Sequence, residues 1–232
     1  MIELQSLHLG PLRNLNMALP EGSLYAMFGP TNSGKSLLLR CLAGLQPPDA
    51  GVVAVHGRRL YGSDHRVDAA HRDEVGMVFD THASIPDRSV LENVRLPLDL
   101  RGIDQEEGDA RALALLEELG IADAASKRPG ELSGGMLTRL QLARSLIHDP
   151  RFLVFDGPTA GLDPVTASRS LRLIARLLEA RQATGVVTTH DVRSALPYVE
   201  GVILISGGLA RGPLPAVLAG DVLDFCEGHR PW

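Results

Sequence analysis

Eight consecutive residues at positions 29–36, with the sequence GPTNSGKS, match a phosphate-binding loop that joins a strand to a helix. The backbone N–H groups of such a loop, together with the N-terminus of the following helix, bind phosphate oxygens. Lys35 is predicted to reach the β- and γ-phosphates, and the Ser36 hydroxyl to ligate Mg²⁺. The predicted nucleotide-binding residues here are Gly29, Pro30, Thr31, Asn32, Ser33, Gly34, Lys35, Ser36 and Leu37.

Composition and charge narrow the class of protein further. The 232 residues are 44% hydrophobic, and no apolar run approaches the roughly 20 residues that a membrane-spanning helix needs. Met1-Ile2-Glu3-Leu4 lacks a basic segment followed by an apolar one, so we expect a cytoplasmic protein that is not exported. A net charge of −5 provides no overall basic field, so nucleic acid is not an expected partner.

Short apolar segments and helical patterns alternate along the chain. Strand patterns lie at 23–28, 74–79, 152–155 and 185–189, and helical patterns at 36–45, 104–119 and 166–180. In the helix over 104–119 we expect Leu113, Leu116 and Leu119 on one buried face. Because strands that alternate with helices form parallel sheets, the pattern predicts an α/β fold.

A second motif, Leu132-Ser133-Gly134-Gly135-Met136, runs into a predicted helix. Together with the phosphate-binding loop, it makes the chain similar to ATP-binding-cassette (ABC) ATPases over essentially its whole length. In that family this signature motif caps the γ-phosphate held by the opposite subunit. The resemblance therefore implies ATP and Mg²⁺ as cofactors and a second cassette as partner. It also implies that Ser133, Gly134 and Gly135 bind the partner's nucleotide.

The resemblance also implies an architecture. It is an α/β fold: a P-loop NTPase of the ABC type, with an antiparallel β subdomain and an inserted helical subdomain. We expect a single ABC domain over residues 1–232, with a RecA-like core at about 1–80 and 150–232 and the helical subdomain at about 81–149. No internal repeat suggests a tandem pair of cassettes.

Further site residues follow from the same resemblance. Asp156 corresponds to the Walker B aspartate, Asp163 ends the D-loop Ala160-Gly161-Leu162-Asp163, and His190 corresponds to the switch histidine. Asp80 occupies the place of a glutamine that touches Mg²⁺ in the family. The candidate catalytic residues are thus His190, Asp163 and Asp80, and the candidate metal ligands are Ser36, Asp156 and Asp80.

The chain departs from the family where the water is activated. Gly157 stands in place of the catalytic glutamate after Asp156, and glycine can neither accept a proton nor orient water. Losing a positioned general base typically costs about 10²–10⁴ in rate, so ATP binding is expected to outlast hydrolysis. Three explanations stay open: Asp80 partly returns the lost carboxylate, the protein needs only the ATP-bound clamp, or a partner cassette carries the intact site.

Two substitutions bear on nucleotide affinity. Asn32 replaces a glycine common in the loop, and asparagine is one of the few residues that tolerate a left-handed backbone. The aromatic platform for adenine is missing, which leaves His8, Leu9 or Leu12 as substitutes.

Three parts of the sequence resemble the corresponding parts of the ATPases of Mla/Mce-type lipid transporters. They are Met136 with Glu131 before it, residues 90–98 and residues 224–228. This resemblance implies a permease of the MlaE type and a lipid-binding MCE protein as partners. The chain would then lie on the cytoplasmic face of the inner membrane, with residues 81–93 forming the groove for a permease helix.

Two other classes of protein share these motifs. A non-transport ABC protein usually carries two cassettes or a long coiled coil, which 232 residues do not accommodate. A nucleotide-responsive pseudo-ATPase subunit explains Gly157 without any compensation.

Overall fold

A six-stranded, mainly parallel sheet forms the centre of the protein. The computed structural model describes residues 1–62, 66–67, 69–79 and 83–215. The strand order is β10-β9-β3-β8-β7-β6, and every neighbouring pair is parallel except β9 with β10. The strands are β3 (Leu24–Phe28), β6 (Val75–Val78), β7 (Phe152–Asp156), β8 (Thr184–Thr188), β9 (Gly201–Ser206) and β10 (Leu209–Pro215).

A four-stranded antiparallel sheet of order β2-β1-β4-β5 makes up a second layer. Its strands are β1 (Ile2–Leu9), β2 (Leu12–Leu19), β4 (Ala50–Val55) and β5 (Arg58–Arg59). The strands β4 and β5 pair through Ala54 with Arg59 and Val55 with Arg58, so they form a short antiparallel ribbon.

Seven helices occur in the described part of the chain. They are α1 (Lys35–Leu42), α2 (Ala69–Glu74), α3 (Val90–Asp99), α4 (Gln105–Glu118), α5 (Gly134–Leu146), α6 (Pro164–Arg181) and α7 (Val192–Ala195). Helices α3, α4 and α5 lie between β6 and β7 in the chain, as the inserted helical segment requires. None of the described helices combines the length and apolar character needed to cross a membrane.

The two faces of the parallel sheet bury alternate residues of each strand. In β7, Phe152 and Val154 pack with the antiparallel sheet and α1, whereas Leu153 and Phe155 pack with the helices on the opposite side. All five residues of β7 are buried, as expected for a central parallel strand covered on both faces. The predicted α/β fold is confirmed.

The helical faces were predicted with mixed success. In α6, which contains the helical pattern predicted at 166–180, Leu171, Ile174, Leu177 and Leu178 share one buried face. In α4 the expected buried position of Leu113 is wrong, since its side chain is 40% exposed. Ala112 and Leu115 join Leu116 and Leu119 in the core instead. With apolar residues at 112, 113, 115 and 116, the sequence allowed two neighbouring faces, and packing against the other helices selected one.

Asn93 organises the segment that leads into α3. Its side chain is fully buried, and its Oδ1 accepts a hydrogen bond from the Ile85 backbone N–H at 2.7 Å. Its Nδ2 lies within hydrogen-bonding distance of the backbone oxygens of Ile85, Arg88 and Ser89, at 3.0, 3.1 and 2.9 Å. One amide therefore fixes the loop over 85–89, so within the groove predicted over 81–93 the Asn93 side chain has a structural role.

The structure predicts that Asn93→Asp will destabilise the protein. The substitution keeps the acceptor for the Ile85 N–H. It replaces the Nδ2 donor with a carboxylate oxygen, which then faces the three backbone carbonyl oxygens that Nδ2 contacts in the native protein. We expect the free energy of unfolding to fall by about 2–3 kcal/mol in urea denaturation.

Gln105→Glu is the matched control, because it makes the same amide-to-acid change at the exposed first residue of α4. A negative charge in a first helical turn is favourable, so this variant should keep its stability. Equal stability of the two variants would contradict the role assigned to Asn93.

Candidate nucleotide-binding site

A cleft of about 720 Å³ opens where β3, β7 and β8 end. The carboxyl ends of neighbouring parallel strands meet at one edge of the sheet, which is where α/β proteins bind their ligands. The lining consists of Pro11, residues 31–37, Asp156, Gly157, residues 159–162, Pro164, Ala167 and residues 188–191.

The phosphate-binding loop joins β3 to α1, as predicted. Gly34 precedes α1 with φ 103°, and Asn32 has φ 62°. The expectation that asparagine would take a left-handed backbone here is confirmed. Because Gly34 lies in a backbone region that L residues rarely adopt, the loop can turn its N–H groups into the cleft only with glycine there.

Lys35 is held against its own loop. Its ammonium donates to the carbonyl oxygens of Gly29 at 2.8 Å and Pro30 at 2.7 Å. Because Lys35 is only 8% exposed, the position of its ammonium group is set by these hydrogen bonds and the surrounding residues rather than by bulk solvent. Gly29 and Pro30 thus orient Lys35, whereas residues 31–37 line the cleft.

Asp156 joins three segments of the site. Its Oδ1 accepts hydrogen bonds from the Ser36 hydroxyl at 3.0 Å and the Thr188 hydroxyl at 2.8 Å. Asp156 is 7% exposed, and a buried carboxylate needs such donors. The oxygens of Ser36 and Asp156 are hard ligands of the kind that Mg²⁺ prefers, so this pair fits the implied metal. Bound there, Mg²⁺ would neutralise charge on the phosphates.

The signature motif forms the N-terminus of α5 and lies outside the lining of this cleft. The Ser133 side chain accepts from the Met136 backbone N–H at 3.4 Å and caps the helix. Neither Ser133 nor Gly134 nor Gly135 lines the cleft. The three signature residues and the phosphate-binding loop are therefore not brought together within one chain.

Residues 12–160 match the ABC transporter family. The chain belongs to that family. Over 205 residues it is 37% identical to the lipoprotein-releasing system ATP-binding protein LolD 1 of Rhodopirellula baltica, covering 88% of this chain and 89% of that protein. It is 36% identical over 226 residues to the glutamine transport ATP-binding protein GlnQ of Escherichia coli, covering 94% and 93%.

Solved structures agree with this assignment. The ATP-binding cassette MJ0796, in a dimeric post-hydrolysis state bound to ADP and Pi, superposes with a TM-score of 0.81 at 29% identity. The superposition covers 93% of this chain and 99% of that one. The cbiO1 subunit from Clostridium perfringens has a TM-score of 0.85 at 23% identity, and it covers 99% of this chain and 94% of that one. The cbiO1 likeness concerns the fold alone.

The backbone of Gly157 has a positive φ angle, unlike the residues directly before and after it. It has φ 61°, and its N–H donates to the Thr188 hydroxyl at 2.8 Å. Two carboxylates line the described cleft, and both are engaged. Asp156 accepts from two hydroxyls, and Asp191 Oδ1 accepts from the Ser194 N–H at 3.0 Å. Residue 157 itself, being glycine, contributes no side chain to the described cleft.

The other predicted catalytic residues lie at different places. His190 is exposed and lines the cleft. Asp163 does not line it, and its Oδ1 caps α6 by accepting from the N–H groups of Val165 and Thr166, each at 3.0 Å. Hydrogen bonds from Thr166, first from its side chain and then from its N–H, lower the pKa of Asp163. The cap therefore contributes at neutral pH and weakens as acid protonates the carboxyl. Asp80 lies outside the described residues.

The D-loop links the cassette's cleft to its signature helix. Ala160, Gly161 and Leu162 line the cleft. A Cβ at Gly134 would contact Leu162 at 3.5 Å, and one at Gly135 would contact Thr166 in α6 at 3.8 Å. The first residues of the signature helix thus lie beside the D-loop and α6 of their own chain, although they do not line the chain's own cleft.

Two of the expected adenine contacts are wrong. Leu9 and Leu12 are 1% and 0% exposed and belong to the core of the antiparallel sheet. His8 is half-buried and does not line the cleft. Pro11 lies at the cleft instead, because the tight turn between β1 and β2 points it outward.

Sequence reasoning also missed Thr188 as a site residue. It ends β8, is 4% exposed and connects Asp156 to the Gly157 N–H. A hydroxyl at the carboxyl end of an apolar strand, two residues before His190, was the available signal.

Replacing Lys35 tests the cleft directly. Lys35→Ala removes a charge-assisted contact worth about 1.5–3 kcal/mol and should weaken binding of a fluorescent ATP analogue by at least about 10-fold. Lys127→Ala is the control, because it removes the chain's other lysine at an exposed position. Unchanged binding in Lys35→Ala would mean that ATP binds elsewhere.

Proposed function

We propose that this ABC cassette is the ATP-binding subunit of a transporter for phospholipid or another hydrophobic cargo, of the Mla/Mce type. Its partners would be a second cassette and an integral-membrane permease resembling MlaE, with an MCE lipid-binding protein. The cassette would work on the cytoplasmic face of the inner membrane, where ATP closes the two cassettes and the permease responds. Hydrolysis in its own site would be slow.

Support for a hydrophobic cargo comes from the sequence around the signature motif. Met136 occupies the position after Leu132-Ser133-Gly134-Gly135 and packs against the core beneath the helical segment. Among the relatives, the LolD proteins are named for releasing lipoproteins, whereas GlnQ is named for glutamine transport. Since their identities to this chain are similar, the cargo rests on the motif resemblance rather than on these names.

Support for slow hydrolysis comes from Gly157, the observation that carries this part of the proposal. Binding would depend on the loop N–H groups, Lys35 and the Ser36–Asp156 pair, which lie together at the phosphate-binding loop. Orientation of the attacking water depends on a carboxylate that Gly157 does not provide. ATP binding and hydrolysis would therefore rely on different residues. Among the described residues, the set for hydrolysis lacks a carboxylate at position 157.

Support for permease docking comes from a cavity of about 200 Å³ between β6 and the helical segment. Phe79, Ala83, Leu140 and Arg144 are among its lining residues. These belong to the two parts of the fold that a coupling helix would contact together. Of the predicted groove 81–93, the structure describes 83–93, where Glu92 is committed to capping α3 through the Ser89 N–H at 2.7 Å.

A second candidate function is that of the degenerate half of a heterodimer, or of a nucleotide-responsive pseudo-ATPase. The favouring observation is the contrast between an intact signature helix, capped by Ser133, and a Walker B segment that lacks its glutamate at Gly157. In a heterodimer the intact signature would complete the partner's site, while this chain's own site held ATP without turning it over.

Gly157→Glu tests whether a missing carboxylate limits hydrolysis. We expect steady-state ATP hydrolysis to rise at least about 10-fold, toward the low end of a general-base contribution. At φ 61° a side chain strains the backbone by about 1–2 kcal/mol, which takes back part of the gain.

Gly157→Gln is the matched control, because it bears the same backbone strain without a carboxylate. Equal rates in the Glu and Gln variants would show that residue 157 is not where the base is missing. Asp80→Asn in the otherwise native chain then decides whether Asp80 acts as a surrogate, since loss of the residual activity would identify it.

Cross-linking tests the dimer. Thr31 is exposed at the cleft, whereas the Ser33 hydroxyl is buried and points inward, so Thr31→Cys is the better probe. Paired with Gly135→Cys on a second cassette, it should form a disulfide whose yield rises with ATP. Cys226→Ser removes one native thiol, and Cys41 is buried. A yield that ignores ATP, or that survives Lys35→Ala, would contradict the predicted arrangement.

A further inference from the structure

Helix α6 exposes three arginines on one face. Arg169, Arg172 and Arg176 are all exposed, and their spacing of three and four residues places them within about 60° of arc. Along the axis they span about 10 Å. Val165, one turn earlier, continues this face and is 60% exposed. We name these three arginines the α6 ridge.

The members of the α6 ridge, like several other arginines of the described residues, form no ion pair with a carboxylate. Within the described residues no carboxylate lies in ion-pair distance of its members, whereas Arg58, Arg95, Arg101, Arg111 and Arg181 each pair with an aspartate or glutamate. The chain carries 28 acidic and 23 basic residues, so acidic side chains are abundant. Like charges three and four residues apart destabilise a helix. Among themselves the three arginines therefore destabilise α6 slightly, and Glu179, which is exposed three residues after Arg176, offsets part of this repulsion.

Both ends of α6 are fixed. At its N-terminus Asp163 caps the helix and Thr166 faces the signature glycine Gly135. At its C-terminus the Arg181 guanidinium forms two hydrogen bonds with the Glu118 carboxylate of α4, at 3.0 and 2.7 Å. The ridge is thus presented on a rigid support, and rigidity lowers the entropic cost of binding a partner.

We propose that the α6 ridge is a docking surface for an acidic segment of a partner protein, with carboxylates spaced along one face to meet the three guanidinium groups. Arginine forms bidentate, directional hydrogen bonds with carboxylates, which suits a helix or strand bearing regularly spaced aspartate or glutamate. Val165 gives such a segment an apolar contact at one end. The site is separate from the nucleotide cleft and does not depend on the cargo proposed above.

An anionic membrane fits the ridge less well. Electrostatic membrane binding typically uses clusters of about 4–8 basic residues, and the ridge has three. The net charge of −5 further opposes adsorption of the whole chain to an anionic surface.

A synthetic helical peptide provides the test. Its glutamates are spaced three and four residues apart on one face, and a scrambled peptide has the same composition without that spacing. Binding of the labelled peptides to the full-length protein is followed by fluorescence anisotropy at physiological salt. The ridge variant carries Arg169→Ala, Arg172→Ala and Arg176→Ala.

The control variant carries Arg59→Ala, Arg151→Ala and Arg211→Ala, which remove the same charge from exposed positions elsewhere. We expect the ridge variant to lose about 10-fold in affinity for the patterned peptide, and the control to stay within about two-fold. The scrambled peptide should bind more weakly than the patterned one.

Three outcomes would overturn the proposal. The first is an equal loss in the ridge and control variants, or equal binding of both peptides, which would mean a diffuse charge effect. The second is ridge-dependent binding to phosphatidylcholine–phosphatidylglycerol vesicles without ridge-dependent peptide binding, which would assign the face to a membrane. The third is loss of the ATP-dependent Thr31–Gly135 cross-link in the ridge variant, which would place the ridge in the cassette dimer.

Discussion

The carboxylate of Asp156 is the point at which the phosphate-binding loop, β7 and β8 are joined. A buried carboxylate without donors would destabilise the fold, and here the Ser36 and Thr188 hydroxyls supply them. Thr188 in turn accepts from the Gly157 N–H, so the turn after β7 is tied to the same network. Because each donor comes from a different segment, the sheet must be in register for the network to form. The geometry of the nucleotide cleft therefore depends on the strand order of the whole parallel sheet.

The phosphate-binding cleft and the signature motif are separate in this chain, and the D-loop and α6 lie between them. The D-loop lines the cleft through Ala160, Gly161 and Leu162, and Leu162 also faces Gly134 in the signature helix. Helix α6 begins at the D-loop and ends at the Arg181–Glu118 pair with α4. The D-loop and α6 thus form a continuous line of packed contacts between the cleft and the helical segment, to which the signature motif belongs.

The sequence predicted the features that depend on local pattern. The phosphate-binding loop, the buried strand β7 and the inward face of α6 follow from glycine placement, an apolar run and helical spacing, and each is present. Features that depend on which of several possible packing contacts forms within the chain were not predictable from local pattern. Leu113 lost its place in the core to Ala112 and Leu115, which only the packing of α4 against its neighbours decides. Asn93 ends the segment 81–93 that was expected to form the groove for a permease helix, and its burial depends on the hydrogen bonds that hold residues 85–89 against the start of α3.

Gly157 combines both kinds of information. The sequence shows that a carboxylate is missing, and the structure adds that the backbone there has φ 61°, which L residues rarely adopt. The turn is thus shaped around glycine, and its N–H is used to hold Thr188 in place. A side chain at 157 would act on Asp156 through that hydrogen bond as well as on water directly. The hydrogen bonds of Lys35 to Gly29 and Pro30 lie outside this chain of contacts, so a change at residue 157 is expected to alter the surroundings of Asp156 more than those of Lys35.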